Sequence, residues 1–263
     1  MNTYLLKNGK QVFHLNEYET DFLYKELFVD RVYLKNGIQL TGASVVVDIG
    51  ANIGLFAVFL QEQFPGCKIV LVEPSPVLCE IIRANTNAFA DRVQVVQKGI
   101  SDARKEADFT FYAGYSILSG FKADAAKDAQ FLRGGIKSQL SRLRLSPERE
   151  EEFIASLMEG KLSDPQCFKA ELISLDDLIA AQDLQRIDLL KIDAEGCELE
   201  ILKGMGAANW PKIKQLVMEV HDAEGCVLGK IVEMIEAHGF KTLVEQEANF
   251  KETGICNLYA FRR

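Results

Sequence analysis

Between Ser44 and Gln97 the chain alternates twice between short β-branched runs and helix-like stretches, which restricts it to α/β folds with a parallel sheet. Ser44 to Ile49 (SVVVDI) reads as a strand, and Gly54 to Gln63 as a helix that is apolar over much of its surface. Lys68 to Val72 (KIVLV) is a second strand, closed by Glu73-Pro74. Pro76 to Phe89 follows as a helix, with Ser75 as N-cap and Pro76 at the first helical position. Val93 to Gln97 is a third strand. Two successive β-α-β units imply right-handed crossovers.

The pattern resumes with a short helix over Ser174 to Ala181, a strand over Ile187 to Ile192, a helical turn or two over Gly196 to Leu202 and a strand over Gln215 to Val220. A helix over Val227 to His238 ends at Gly239. Lys241 to Glu245 and Asn257 to Phe261 read as strands that pair antiparallel at one side of the sheet. Two regions stand outside this core. Residues 1–43 hold a helix from about Glu17 to Val29. Residues 113–167 are too long for an ordinary connection. Within them Ser146-Pro147-Glu148 starts a helix that runs to Glu159, with Gly160 beyond its end. The expected division is an N-terminal helical segment over 1–43 and an α/β domain over 44–263 carrying the 113–167 insertion.

Bulk properties narrow the function classes. The net charge of −8 argues against general affinity for nucleic-acid phosphates. No run of 18 apolar residues exists, so no membrane span is expected. Met1 to Lys10 lacks an apolar signal core. Of the six cysteines, none pair as CxxC and none lie near a histidine at zinc spacing, so free thiols and a cytoplasmic location are expected.

The turn Asp48-Ile49-Gly50-Ala51-Asn52-Ile53-Gly54 lies between the first strand and its helix. Glycine there permits a tight turn and close approach of a ligand. In the dinucleotide fingerprint GxGxxG, the second glycine admits a pyrophosphate. Here that position is Asn52, which argues against a pyrophosphate and suits S-adenosyl-L-methionine, which has none. Glu73 stands about 20 residues on, where a ribose-binding acid is expected; it would repel a 2′-phosphate. Gly99-Ile100-Ser101-Asp102 reads as a turn beside the adenine, with Ser101 able to bond the ring. A plain strand-to-helix turn without ligand remains the alternative for the loop.

The segments DIGANIGLF, LVEPSP, IDLLKIDAEGCELEILKG (Ile187 to Gly204) and LVMEVH (Leu216 to His221) resemble the FkbM family of methyltransferases over roughly residues 40–262. HLNEYETDFLYKELFVDRVYLKNGIQL (His14 to Leu40) and FTFYAGYSILSGF (Phe109 to Phe121) are similar to O-methyltransferase domains of polyketide synthase assembly lines. Ala113-Gly114 departs from that likeness, since larger residues or proline are expected there. The resemblance implies a Rossmann-like class I methyltransferase with a mostly parallel seven-stranded sheet and an antiparallel last strand. It also implies S-adenosyl-L-methionine as cofactor. The implied acceptor is a β-hydroxyl or enol of a polyketide intermediate on an acyl carrier protein, whether in an excised synthase domain or a free-standing relative.

Methyl transfer to a hydroxyl gains from a general base. His221 follows a strand at its carboxyl end, where open α/β sheets bind ligands, and Glu219 points the same way. They are the expected catalytic pair. His238, at a helix end, reads as a dipole partner. Asp193 would hold the methionyl ammonium or lie near the transferred methyl, and the cofactor set is Asp48, Gly50, Asn52, Gly54, Glu73, Ser101 and Asp193. His14, Asn16, Tyr18, Tyr112, Ser116 and Glu195 are the expected substrate-side residues, with Glu19 and Tyr115 beside them. Asp193, Glu195, Glu219, His221 and Asp222 would together suit Mg²⁺, but a histidine base needs no metal, and none is expected. Arg133, Lys137, Arg142 and Arg144 give the insertion a basic face, either for an acidic carrier or as a plain solvated helix face. The alternatives are a methyltransferase for a free small molecule or sugar hydroxyl, and a non-catalytic nucleoside-binding module. An NAD-dependent oxidoreductase is disfavoured by Asn52 and by KIDAEGCE.

Overall fold

The computed structural model describes residues 1–140, 145–222, 224–246 and 254–262. The chain opens with a hairpin, β1 (Asn2–Leu5) and β2 (Gln11–His14), and then α1 (Glu17–Tyr24), capped by Asn16. The helix expected as one piece to Val29 changes at Lys25 into a π turn (Lys25–Val29). The first 43 residues therefore carry strands as well as helix.

The central unit follows as β3 (Val45–Ile49), α2 (Leu55–Gln63), β4 (Lys68–Val72), α3 (Pro76–Thr86) and β5 (Val93–Val96). As expected, Ser75 caps α3 and Pro76 opens it. The helix stops at Thr86, and Asn87–Arg92 continues as a 3₁₀ turn. Next come β6 (Gly99–Ser101), β7 (Lys105–Phe111), α4 (Ala125–Leu140), α5 (Pro147–Met158) and β8 (Gln166–Ser174). The chain ends with α6 (Leu175–Ala181), β9 (Leu189–Ile192), α7 (Glu198–Lys203), β10 (Gln215–His221), α8 (Leu228–Ala237), β11 (Lys241–Glu245) and β12 (Ile255–Phe261).

Seven strands form the main sheet in the order β11-β12-β10-β9-β3-β4-β5. β10, β9, β3, β4 and β5 are mutually parallel; β12, the last in sequence, enters antiparallel between β10 and β11. The central strands are buried on both faces, which is why they read as unbroken apolar runs. One face packs α2, α3 and the N-terminal segment through Phe56, Phe59, Ile81 and Leu27; the other packs α6, α7 and α8 through Leu178, Ile201 and Ile231. From β3 the chain runs outward to β5 and returns on the other side at β9. The strand order thus reverses between β3 and β9, and a crevice opens at their carboxyl ends.

The residues around the insertion form a second, three-stranded sheet of order β6-β8-β7. Gly99 to Ser101, expected as a turn, is therefore a short strand parallel to β8. Ser146 caps α5 as expected, and α4, which sequence periodicity did not signal, packs against it. Leu132, Ile136 and Ile154 join Tyr112 and Tyr115 in a third apolar cluster. Of the expected basic face, Arg133 pairs with Glu151, and Lys137 lies 3.9 Å from Glu150. Arg142 and Arg144 lie outside the described residues. Among the described residues no helix is long and apolar enough to cross a membrane.

Candidate active site

A cavity of about 590 Å³ occupies the crevice, within the roughly 300–1,000 Å³ of small-molecule sites. The tips of β3, β4, β9 and β10 form its floor; α1, the loop before α4, and Leu132 and Ile136 of α4 close over it. Gly50, Asn52, Glu73, Asp193, Glu195, Glu219 and His221 line it, with Tyr18, Tyr115 and Ser116 on the lid side.

The floor is built from the turn after β3. Gly50 has φ +78°, and a Cβ there would fall 1.7 Å from the Asp193 carbonyl oxygen, so only glycine lets the tips of β3 and β9 meet. Asn52 is also left-handed, at φ +49°. Its N–H donates to Glu73 Oε2 at 3.0 Å, and the N–H of Ser75 donates to Oε1 at 3.0 Å. Burial pushes Glu73 up to about 7 against the pull of these two bonds. Each Glu73 oxygen accepts one of these bonds and keeps a lone pair for a ligand hydroxyl.

Asp48 does not reach this cavity. It is fully buried 2.9 Å from Lys191 Nζ, beside a void of about 30 Å³ that it shares with Tyr33, Lys191 and Asp193. Lys191 also lies 3.4 Å from Asp193 Oδ2, which accepts the Tyr33 hydroxyl at 3.0 Å. Burial would discharge Lys191, but the carboxylates of Asp48 and Asp193 hold it above the ordinary lysine range. Asp48 thus shapes the pocket through Lys191, a link that strand alternation placed on the Asp193 face without revealing the pair. Gly54 turns the chain into α2 behind the cavity wall. Ser101 is also off the cavity, its hydroxyl bonded to Asp102 at 3.1 Å, while its neighbours Gly99 and Ile100 do line it.

At the tip of β10, His221 has a carboxylate at each nitrogen. Nδ1 is 3.1 Å from Glu198 Oε1; Nε2 is 3.2 Å from Glu195 Oε2 and 3.4 Å from Glu219 Oε1. Glu219 and His221 share a face, as strand alternation requires. Glu198, which sequence reasoning missed, is fully buried, and its Oε1 also accepts the N–H of Gly196 at 2.8 Å. The signal for it was the second acid of AEGCE: the left-handed Glu195-Gly196 turn brings the chain back to β10. Burial would push the imidazole down, but the charges and hydrogen bonds of Glu195 and Glu198 outweigh that and hold it well above 6.5. Glu219 is raised well above the usual carboxylate range by burial and then by Asp193.

The remaining expected residues divide. Ser116 and Tyr18 face the cavity. His14 does not: it packs against Tyr4, with Nδ1 3.2 Å from Thr20 Oγ1. Asn16 caps α1 and donates to Gly114 O at 3.3 Å. Tyr112 is buried away from the site and donates to Asp128 at 3.0 Å. His238 stacks on Trp210 with centroids 4.2 Å apart.

The donor set can be matched to a ligand. Asp193, Glu195 and Glu219 crowd one wall, with Lys191 against Asp193 Oδ2 and the His221 imidazole against the two glutamates, so three carboxylates face two cationic groups and the wall favours a further cation. The Asn52 side chain stands where a pyrophosphate would need bare backbone. An adenosyl group bearing a sulfonium and an ammonium, without phosphate, fits both facts, and Glu73 is free to accept ribose hydroxyls. Fold and site together define a Rossmann-like methyltransferase.

The methyltransferase FkbM domain pattern matches residues 48–242, and the chain belongs to this family. Family and fold imply S-adenosyl-L-methionine as methyl donor. The chain is 36% identical to the 31-O-demethyl-FK506 methyltransferase FkbM of Streptomyces tacrolimicus, over 100% of this chain and 97% of that protein. It is 35% identical to the AMB antimetabolite synthetase AmbE of Pseudomonas aeruginosa, over 98% of this chain but only 12% of that protein. The methyltransferase FkbM structure from Methylobacillus flagellatus superposes with a TM-score of 0.53 at 15% identity, covering 93% of this chain and 55% of that one, which supports the shared fold.

Proposed function

We propose that the chain is an O-methyltransferase that uses His221 as general base on the hydroxyl of an acyl or polyketide acceptor. The observation that carries this reading is the His221 cluster: Nδ1 is fixed by buried Glu198, and Nε2 faces the cavity beside Asp193, Glu195 and Glu219. Bound S-adenosyl-L-methionine supplies an electrophilic methyl group on a cationic sulfur. Glu73 holds the ribose, and Asp193 Oδ1, left over by Tyr33 and Lys191, holds the ammonium. Nε2 takes the acceptor's proton, and Glu195 and Glu219 stabilise the resulting imidazolium. Positive charge brought beside the cluster lowers the imidazole pKa, so the base becomes available when the donor is in place. The apolar lid wall of Tyr18, Tyr115, Leu132 and Ile136 suits an acyl chain.

The acceptor we infer is a β-hydroxyl or enol of an intermediate on an acyl carrier protein, in line with the partial match to a synthetase. A free acceptor is the second reading, supported by end-to-end likeness to a relative whose name records methylation of 31-O-demethyl-FK506. Radiolabelled methyl transfer to β-hydroxyacyl carrier protein, the matching acyl-pantetheine and the free hydroxy acid separates these. Label in an alkali-stable ether on the hydroxyl is expected, most on the carrier-bound form. Equal labelling of all three would favour a free acceptor, and label on nitrogen or carbon would end the O-methylation reading.

A further inference from the structure

We infer that Glu19 is a positioning residue for the cofactor pocket, acting through Ser116 on Asn52; this rests on placing the methyl donor at the tip of β3. Glu19 is the third residue of α1 and lies behind the cavity wall, 3% exposed. A carboxylate so placed is costly unless its oxygens are satisfied. Oε2 accepts from Asn16 Nδ2 at 2.8 Å and from the N–H of Ser116 at 3.0 Å; Oε1 accepts the Ser116 hydroxyl. Ser116 stands 97 residues away, in the loop before α4.

The direction of each bond is determined by chemistry. Burial raises Glu19, and the hydrogen bonds from Ser116 and Asn16 oppose that rise; as a carboxylate it only accepts, so the single hydroxyl hydrogen of Ser116 goes to Glu19. The Ser116 oxygen is then left to accept, and Asn52 Nδ2 donates to it at 3.1 Å. That bond pins the side chain of the left-handed residue whose N–H holds Glu73 Oε2. A continuous relay therefore runs from α1, through the insertion, to the glycine loop and its ribose acid. Helix capping alone does not explain it, because Asn16 Oδ1 already accepts the Glu19 N–H at 2.8 Å. Ser116, Asn52 and Glu73 line the cavity while Glu19 does not, so its influence passes through them, with the Asn52 side chain also interacting with Glu19 directly.

The test is a double-mutant cycle read by calorimetric titration of the full chain with S-adenosyl-L-methionine. Glu19→Gln places an amide where two Ser116 donors point. It should weaken affinity roughly 10-fold, the size of one charge-assisted hydrogen bond, while kcat at saturating donor changes by less than about 3-fold. Asn52→Ala should weaken it similarly. The double variant should be little worse than either single one, because both break the same relay. Unchanged affinity in Glu19→Gln, or fold-losses that multiply in the double variant, would overturn the proposal. Should Glu19→Gln not fold, Ser116→Ala keeps the carboxylate and removes the relay oxygen; wild-type affinity there would equally overturn it. No binding by the wild-type chain would instead refute the placement of the donor.

Discussion

The two acidic corners of the cavity solve the same electrostatic problem in opposite ways. Between β3 and β9, Asp48 and Asp193 share the buried ammonium of Lys191. At β10, Glu195, Glu198 and Glu219 gather around His221. A corner with its own buried cation is complete once the chain folds: burial raises Asp48, and the Lys191 ammonium opposes that rise. The other must borrow protons, which is why its histidine and Glu219 are both driven upward.

The contrast breaks most sharply at His221. His221→Ala should lose about 10²- to 10⁴-fold in kcat while keeping affinity for S-adenosyl-L-methionine; turnover within a factor of three of wild type would remove it as the base. Lys191→Met should do the reverse. It strands Asp48 without its counter-ion, so a loss of about 3–5 kcal/mol in unfolding free energy is expected, read by denaturant melts. A near-neutral melt would mean that Asp48 folds protonated.

A pH series sharpens the distinction. The proposed base is the neutral imidazole, whose folded value is raised, so kcat/KM for the methyl donor, which reports the free enzyme, should climb through a limb above pH 6.5. Stability runs the other way. The contribution of charged His221 is fully present below its unfolded value near 6.5 and is lost as pH rises through the folded value. Glu73 titrates at about 7, so the limb must survive in Glu73→Gln to belong to His221. The smallest effect is expected at the ribose acid: Glu73→Ala should weaken donor binding roughly 10-fold with little change in saturated kcat. Undisturbed affinity would displace the ribose from β4.

The regions that were legible in the sequence are those whose structure is set by local burial. VVV and IVLV are apolar because central parallel strands are buried on both faces, and Ser75-Pro76 and Ser146-Pro147 start helices by bonds within one turn. The β1–β2 hairpin was missed although Asn8-Gly9 marks its turn, because two four-residue strands are too short for a clear alternation. α4 was missed because Gly134 and Gly135 lower its helix propensity. The pairing of β7 with β8 spans the whole insertion, and nothing local announces it.

The candidate site divides along the same line. Sequence by itself determined the parallel α/β class, the tight turn at Gly50 and the placement of Glu73, Asp193, Glu219 and His221 at strand ends, because strand periodicity and turn chemistry act over a few residues. Only the tertiary structure decided which carboxylate holds which nitrogen, that Lys191 claims Asp48, that Ser101, Tyr112 and His14 face away, and that Glu19 reaches Asn52 through Ser116. The pairings of His221 with Glu198, Lys191 with Asp48 and Glu19 with Ser116 join segments 23 to 143 residues apart, and no spacing along the chain encodes which side chains the fold will bring together.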